Sequence, residues 1–471
     1  MESVTDDFVL RAASLTLALS WAALVSPLSA QCPDGSPPPC RVPGSRGGTA
    51  VAVLYFDNLS PDTADAYLAD GVTEELIVRI GQVRRLQVSS RYAVRRFRGR
   101  PIVAPATIGQ ELSVAYLITG SVRRSHDHVR VTAELVRAAT GARVWGEVYD
   151  RQESDLLVLQ TDLARDVAAG IIGRLAPTEQ TTLAGLPTQN PAAFEHFLRG
   201  NYLLAQRSPA GTVNALTEYQ AALRLDPAYA AARARAALAC GVFVAWDWRY
   251  PSVSRDTLLT WGMAAAEAVL RRDSTSSDAW LAYGLLLFVQ RPGVPGDAVA
   301  AEQRAVSLDS ENAEAVNLLG VMLFNVGQDS AAAVEFRRAL AIEPGRAITL
   351  MRLAEIDLLA ERFGGARRLL DSAIAVAPGF HIAYQDRAWV LLHVGDTAAA
   401  RVDAETALRL APEDYEASRG VLAAVQFAER DTLRARASLD SLLAPYGKGS
   451  VVGPEQVSNI AMPLARVRRA P

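Results

Sequence analysis

Residues 312–344, NAEAVNLLGVMLFNVGQDSAAAVEFRRALAIEP, carry the pattern that decides the fold. The two stretches that follow, RAITLMRLAEIDLLAERFGGARRLLDSAIAVAP (346–378) and FHIAYQDRAWVLLHVGDTAAARVDAETALRLAP (380–412), end on the same residue, so Pro344, Pro378 and Pro412 stand 34 residues apart. Counting back from each proline gives one frame. Gly320, Ala354 and Ala388 fall at a helix crossing; Ala332, Ala366 and Ala400, then Ala339, Ala373 and Ala407, fall within a second helix. Gly327 and Gly395 occupy the turn between the two helices, with Glu361 as the exception. Small side chains let antiparallel helices approach closely, and a proline after the second helix stops it and begins the next unit. Such a period predicts stacked helix hairpins.

This frame resembles the tetratricopeptide repeat. Earlier copies are degenerate: Trp280, Tyr283, Gly284, Ala298 and Ala305 mark one with an insertion at 291–296, and Phe194, Gly200, Ala215, Tyr219, Ala222 and Pro227 mark the first. Between them, 228–272 holds a helix pair with an enlarged connection around Trp246 to Arg255, and 415–443 a further pair after Pro412. About seven pairs therefore make a solenoid over 190–445, with 446–471 as a tail or capping helix. The resemblance implies that the first helix of each pair lines a concave groove. Asn317, Phe324, Asn325, Met351, Glu355, Gln385, Trp389 and His393, with Val321, Leu358, Leu359 and Leu392, are the groove positions it assigns. Amides beside Met351 and Trp389 suit an extended peptide, whose backbone the amides bind and whose side chain the ring buries. The competing expectation is that the chain's own neighbouring parts cover this apolar lining.

Upstream, 49–175 reads as a small α/β domain with a mixed sheet. Ala50 to Phe56 is a short apolar run between turn residues and predicts a buried strand. Asp62 to Ile80 has helical periodicity, with Asp62 and Asp65 in its first turn and Arg79 near its end, as the helix dipole prefers. A strand at Leu86–Ser89, a brief helix near Thr107–Leu112, three strands (Ala115–Val122, Val129–Val136, Arg143–Tyr149) and a helix from Leu156 to Leu175 complete it. Residues 176–189 read as a linker. Four stretches, VLYFDNLS (53–60), YLADGVTEELI (67–77), LITGSVRR (117–124) and ATGARVW (139–145), resemble the TolB amino-terminal-like domain, which is similar to the FlgO and CsgG domains of the cell envelope. That domain accompanies tetratricopeptide repeats in many bacterial proteins, often with a cyclase, kinase or winged-helix output module. Residues 1–48 are too few to hold such a module.

Ala12 to Pro27 is apolar and is followed by small residues up to Ala30, which reads as a removed signal peptide or an uncleaved anchor over 1–30. The segment 31–48 reads as a Pro/Gly-rich linker in which an oxidising compartment would let Cys32 and Cys40 close a small loop, the alternative being two free thiols. Cys240, in an alanine run, reads as a small buried hydrophobe. The expected location is therefore periplasmic or envelope-associated, with membrane association through the first segment.

Composition excludes several chemistries. The 471 residues are 50% apolar with a net charge of −3, and Lys448, in a Gly-Lys-Gly tail, is the only lysine. P-loop, protein-kinase and Schiff-base chemistry each need a placed lysine. No serine or cysteine lies in a nucleophile motif, no cofactor is called for, and no enzyme activity is expected. Two secondary candidates remain: the aromatic group Trp246, Trp248, Tyr250 and Trp261, as a pocket or a junction filler, and an arginine-rich segment, 84–100, that includes Arg95 and Arg96. The whole domain is near neutral, with 16 arginines against 15 acids over 49–175, so a solvated face is favoured and nucleic acid is not expected. His126 and His128 flank Asp127 in a hairpin turn, too few ligands for an ordinary metal site. The reading is a non-enzymatic scaffold with a protein or peptide partner. The alternatives are a regulatory protein sensing a small ligand and a structural part of an outer-membrane assembly.

Overall fold

The computed structural model describes residues 49–443, apart from 96, 99–102, 206–207, 247, 249, 292–295 and 412–416. The segment 1–48 with Cys32 and Cys40, Arg96 and the tail 446–471 lie outside the described residues.

The first part contains β1 (Ala50–Val53), β2 (Asp57–Asn58), α1 (Ala66–Gly81), β3 (Gln87–Val88), α2 (Arg91–Arg95), α3 (Pro105–Leu112), β4 (Tyr116–Ser125), β5 (His128–Arg137), β6 (Arg143–Gln152), α4 (Leu156–Ile172) and α5 (Pro177–Ala184). The sheet order is β3-β1-β4-β5-β6, with β2 beside β4. β1 runs parallel to β3 and β4, whereas β4, β5 and β6 form an antiparallel meander. The expected strand over 50–56 ends at Val53, and β2 starts beyond it at Asp57. Phe56 leaves the ladder to donate its backbone N–H to Thr73 Oγ1 at 3.0 Å, and its ring lies so close to Gly120 that a Cβ there would come within 2.6 Å of it. Only glycine fits at that approach.

Alternation on β5 sets the layering. Val129, Val131, Ala133 and Leu135 are buried, while His128 and Arg130 face solvent, so helices cover one face of the meander and water the other. The segment read as a linker contains α5, which the α/β domain holds down. Buried Arg79 of α1 donates to the carbonyl oxygens of Leu183 (3.2 Å) and Gly185 (3.1 Å) and pairs with Glu75, and Arg85 pairs with Glu179.

The rest is seven helix hairpins among the described residues: α6 (Pro191–Leu204) with α7 (Pro209–Leu225), α8 (Ala230–Ala245) with α9 (Arg255–Leu270), α10 (Ser277–Gln290) with α11 (Gly296–Leu308), α12 (Ala313–Asn325) with α13 (Asp329–Ile342), α14 (Ala347–Leu359) with α15 (Phe363–Val376), α16 (His381–His393) with α17 (Thr397–Leu410), and α18 (Ala417–Ala428) with α19 (Thr432–Leu443). The fold is thus a mixed-sheet α/β domain followed by a tetratricopeptide-type solenoid. Inside a hairpin, a small residue on the first helix receives a large one from the second: a Cβ on Gly200 would lie 2.5 Å from Tyr219, and one on Gly320 would lie 2.6 Å from Phe336. Turns between paired helices need one left-handed residue. Gly327 (φ 74°) and Gly395 (φ 83°) supply it freely, and Glu361 (φ 58°) supplies it with a side chain in a region that favours glycine. Cys240 is buried and unpaired, and burial pushes its thiol up to about 12.

The α/β domain and the first hairpin share one core. A continuous buried cluster runs from β1 through α1 and α4 into α6, α7 and beyond, with Leu198 of α6 filling the space above Gly71 of α1.

Candidate docking surface of the repeat array

In stacked hairpins each first helix touches its own partner helix and the first helices of the neighbouring hairpins, so part of its inward face is used inside the protein. Asn317 on α12 is buried, and its Oδ1 accepts from the Thr349 hydroxyl of α14 at 2.7 Å. Gln385, two repeats on, accepts from the Ser418 hydroxyl of α18 at 3.3 Å. A desolvated amide needs a partner, and the next hairpin provides one. Met351 is buried in a cluster with Leu350, Ile382 and Ala383, and Trp389 in one with Leu391, Val421 and Val425. The structure therefore corrects the reading of these four: they join consecutive hairpins and do not face an open groove. Glu355 is half-buried and takes Arg352 Nη1 at 3.0 and 2.9 Å. Beside it, burial first and the Glu355 charge second push the Asp386 carboxyl well above the ordinary range.

Part of the expected groove lining is met by the chain's own residues. Trp246 stacks on Trp248 with ring centroids 5.9 Å apart, and Trp248 and Tyr250 meet the buried Phe243 edge-on at 6.2 and 5.3 Å. Trp246, in the connection after α8, packs against the cluster of Leu350, Met351, Ala354 and Ile382 on α14 and α16. The chain's own aromatic connection thus lies against the first helices of later hairpins at that level, because an indole left in water costs more than one laid on an apolar cluster. Trp261 stands apart from them, exposed on α9.

What stays accessible is the edge formed by the last turns of the first helices. Phe324, Leu358 and Leu392 are half-buried; Asn325 and Leu359 are exposed, and His393 is half-buried. Two positions after Phe324 and Leu392, Val326 and Val394 are 37% and 52% exposed, and Leu359, directly after Leu358, is 61% exposed. His393 Nδ1 lies 2.7 Å from the Trp389 carbonyl oxygen, so that nitrogen carries a proton, and its ring stacks on Phe363 at 4.8 Å. Asn325 donates to the Val321 carbonyl at 2.8 Å, which leaves its own oxygen outward. The result is an apolar rim repeated every 34 residues just before each left-handed turn. Val326 and Val394 escaped the sequence reading. The recurrence of an apolar residue directly before Gly327 and Gly395 was the signal that could have found them. On the second helices, exposed Val334 and Val402 stand at repeat spacing but are separated by the exposed Arg368.

Within the arginine-rich segment, Arg85, Arg91 and Arg98 are matched by acids. Arg98 reaches Asp70 at 2.8 Å, Arg91 reaches Glu74 at 3.3 Å, and Tyr55 donates to Glu74 at 3.0 Å. Burial, against the pull of Arg98, pushes Asp70 up to about 6. Arg95, half-buried at the end of α2, adds positive potential to the same group. His128 approaches Asp150 at 3.4 Å, and among the described residues no three metal-ligating side chains converge. No described helix is long and apolar enough to cross a membrane.

No protein-family model matches this chain. A putative adenylate cyclase 3 of Rhizobium meliloti (strain 1021) is 30% identical over 198 residues, which are 42% of this chain and 33% of that protein. The chain thus spans about a third of the length of the curated relative it matches. Among solved structures, the type IV pilus biogenesis factor PilW is similar over 45% of this chain and 92% of its own, at 19% identity and a TM-score of 0.37. A tetratricopeptide repeat protein of Parabacteroides merdae ATCC 43184 is similar over 58% of this chain and 99% of its own, at 14% identity and a TM-score of 0.38. The repeat fold itself is read from the hairpins above.

Proposed function

We propose that this protein is a non-enzymatic interaction scaffold of the bacterial cell envelope, and that its partner docks along the apolar rim of the fourth to sixth hairpins. The observation that carries this is the row of partly accessible apolar residues Phe324, Leu358 and Leu392 at repeat spacing, with exposed Val326, Leu359 and Val394 beside them. A row on a rigid scaffold suits a partner segment with apolar side chains at matching intervals; Asn325 and His393 add polar contacts that fix its direction. Export is supported by the apolar segment before Ala30. A photo-cross-linker placed at Leu359 in intact cells should capture a defined partner, and one at Val402 should not. Equal capture at both positions would remove the rim from the account.

A second, regulatory reading is favoured by the partly buried group of Tyr55, Asp70, Glu74 and Arg91, with the more exposed Arg98, next to the carboxyl end of β1, where an α/β sheet commonly receives a ligand. The similarity of part of the chain to a putative adenylate cyclase is in keeping with a signalling context. Thermal shifts with nucleotides and small metabolites test it; unchanged melting across them would count against it.

A further inference from the structure

We propose that β6 is a homodimerisation edge, on which the β6 strand of a second copy of this chain pairs antiparallel about a two-fold axis through Val148. β6 is ten residues long and ends the sheet, pairing only with β5 among the described residues. Long exposed edges template further pairing unless something blunts them; this one carries Arg143, Glu147, Asp150 and Arg151 and a bulge opposite Val136, but no proline and no lysine, and no further strand pairs with it among the described residues. It instead presents Val144 and Val148, 42% and 55% exposed, on the solvent face. Trp145 lies on the helix-covered face beside Gly170 of α4, and Tyr149 is anchored there by donating to Asp166 at 2.8 Å.

The charge order along the strand selects both the partner and the register. In a two-fold antiparallel pair, residues whose numbers sum to a constant even value face each other on the same side of the sheet. Two registers use nearly the whole strand. Centred on Glu147, that carboxylate would face its own copy, and Arg143 would face Arg151 twice. Like charges directly opposite are destabilising. Centred on Val148, valine meets valine on the axis, Gly146 meets Asp150, Trp145 meets Arg151 and Glu147 meets Tyr149. No like pair occurs among these. Asp150 keeps its bond from Arg130 Nε at 2.9 Å, since the residue facing it is a glycine, and Arg151 comes over the Trp145 indole, a favourable cation–π approach. The two six-stranded sheets would become one continuous sheet, and the repeat arrays of both copies would be brought into one assembly.

The test is sedimentation equilibrium of the full chain with two charge variants, Val148→Lys and Val148→Glu, each checked for unchanged circular dichroism. Val148 is exposed in the single chain, so both variants should fold. The native chain should be dimeric, and each variant alone should have a dissociation constant raised roughly tenfold or more, because like charges meet on the axis. An equimolar mixture of the two variants should recover the dimer. A native chain that stays monomeric overturns the proposal, as does a dimer indifferent to Val148→Lys. Failure of the mixture to re-form overturns the register about Val148, including where the edge takes an unrelated extended peptide instead.

Discussion

The Tyr67 hydroxyl of α1 donates to Glu195 Oε1 of α6 at 2.6 Å, so the α/β domain is fastened to the first repeat hairpin by a bond between partly buried groups. Arg199 lies over the Tyr67 ring at 4.8 Å and donates to the same hydroxyl at 3.1 Å, and Arg124 of β4 donates to it at 3.0 Å. Burial and the bond to Glu195 hold the phenol well above its ordinary range, so it stays a donor throughout the physiological pH range. Two arginines and one carboxylate thus meet at a neutral hydroxyl. Tyr67→Phe removes the centre of this group and should cost about 1–2 kcal/mol, through the unpaired partners left behind. The measurement is urea unfolding followed by probes in each part. Tyr67→Phe should lower the midpoint seen by both probes; coincident transitions at the native midpoint would show the bond to be dispensable.

Glu302 of α11 occupies the place that Phe336 and Tyr219 fill in other hairpins, against Gly284. It is fully buried, and among the described residues neither carboxyl oxygen has a hydrogen-bond partner. Burial, then the Glu314 charge, raises its pKa well above the ordinary 4.5. The folded chain therefore binds a proton that the unfolded chain releases, and the sign follows: the contribution is whole below about 4.5 and is lost as pH rises toward the folded value. Glu302→Leu should stabilise the protein at pH 7 by roughly 1–3 kcal/mol, and by less at pH 4.5. Melting temperatures of both chains across that interval check this, and a pH-independent difference would contradict it.

Glu361 adopts φ 58° where the neighbouring repeats use glycine. Glu361→Gly should relieve the left-handed strain at a small entropic cost and stabilise the array by about 0.5–1 kcal/mol. Calorimetry would show a melting temperature raised by a degree or more; a lowered one would mean that the side chain has a role beyond the turn.

The fold was legible because its signals are geometric. A 34-residue proline period and small residues at the crossings define the hairpins, and the structure forms them with Gly320 beneath Phe336. The strands of the α/β meander were equally legible from alternation, as on β5. The site was not. Groove positions by themselves do not say whether a neighbour takes the residue, and Asn317 and Gln385 are taken by Thr349 and Ser418 of the following first helices. Nor does the sequence reveal that Trp246 reaches three hairpins further along, since that depends on how far the solenoid curls. The helix inside the segment read as a linker, 176–189, was not legible for a related reason. What orders α5 is a buried arginine roughly a hundred residues upstream, a contact with no local sequence signature.

The central claim is that partner binding resides on the apolar rim. The most direct measurement is the affinity of the captured partner for the native chain, for Leu359→Asp with Val394→Asp, and for the outer-face control Val402→Asp. All three should melt within a few degrees of each other. The rim variant should bind at least about a hundredfold more weakly, as expected when two central apolar anchors are lost, and the control should bind as the native chain does. Equal affinity for the rim variant and the native chain would contradict the account.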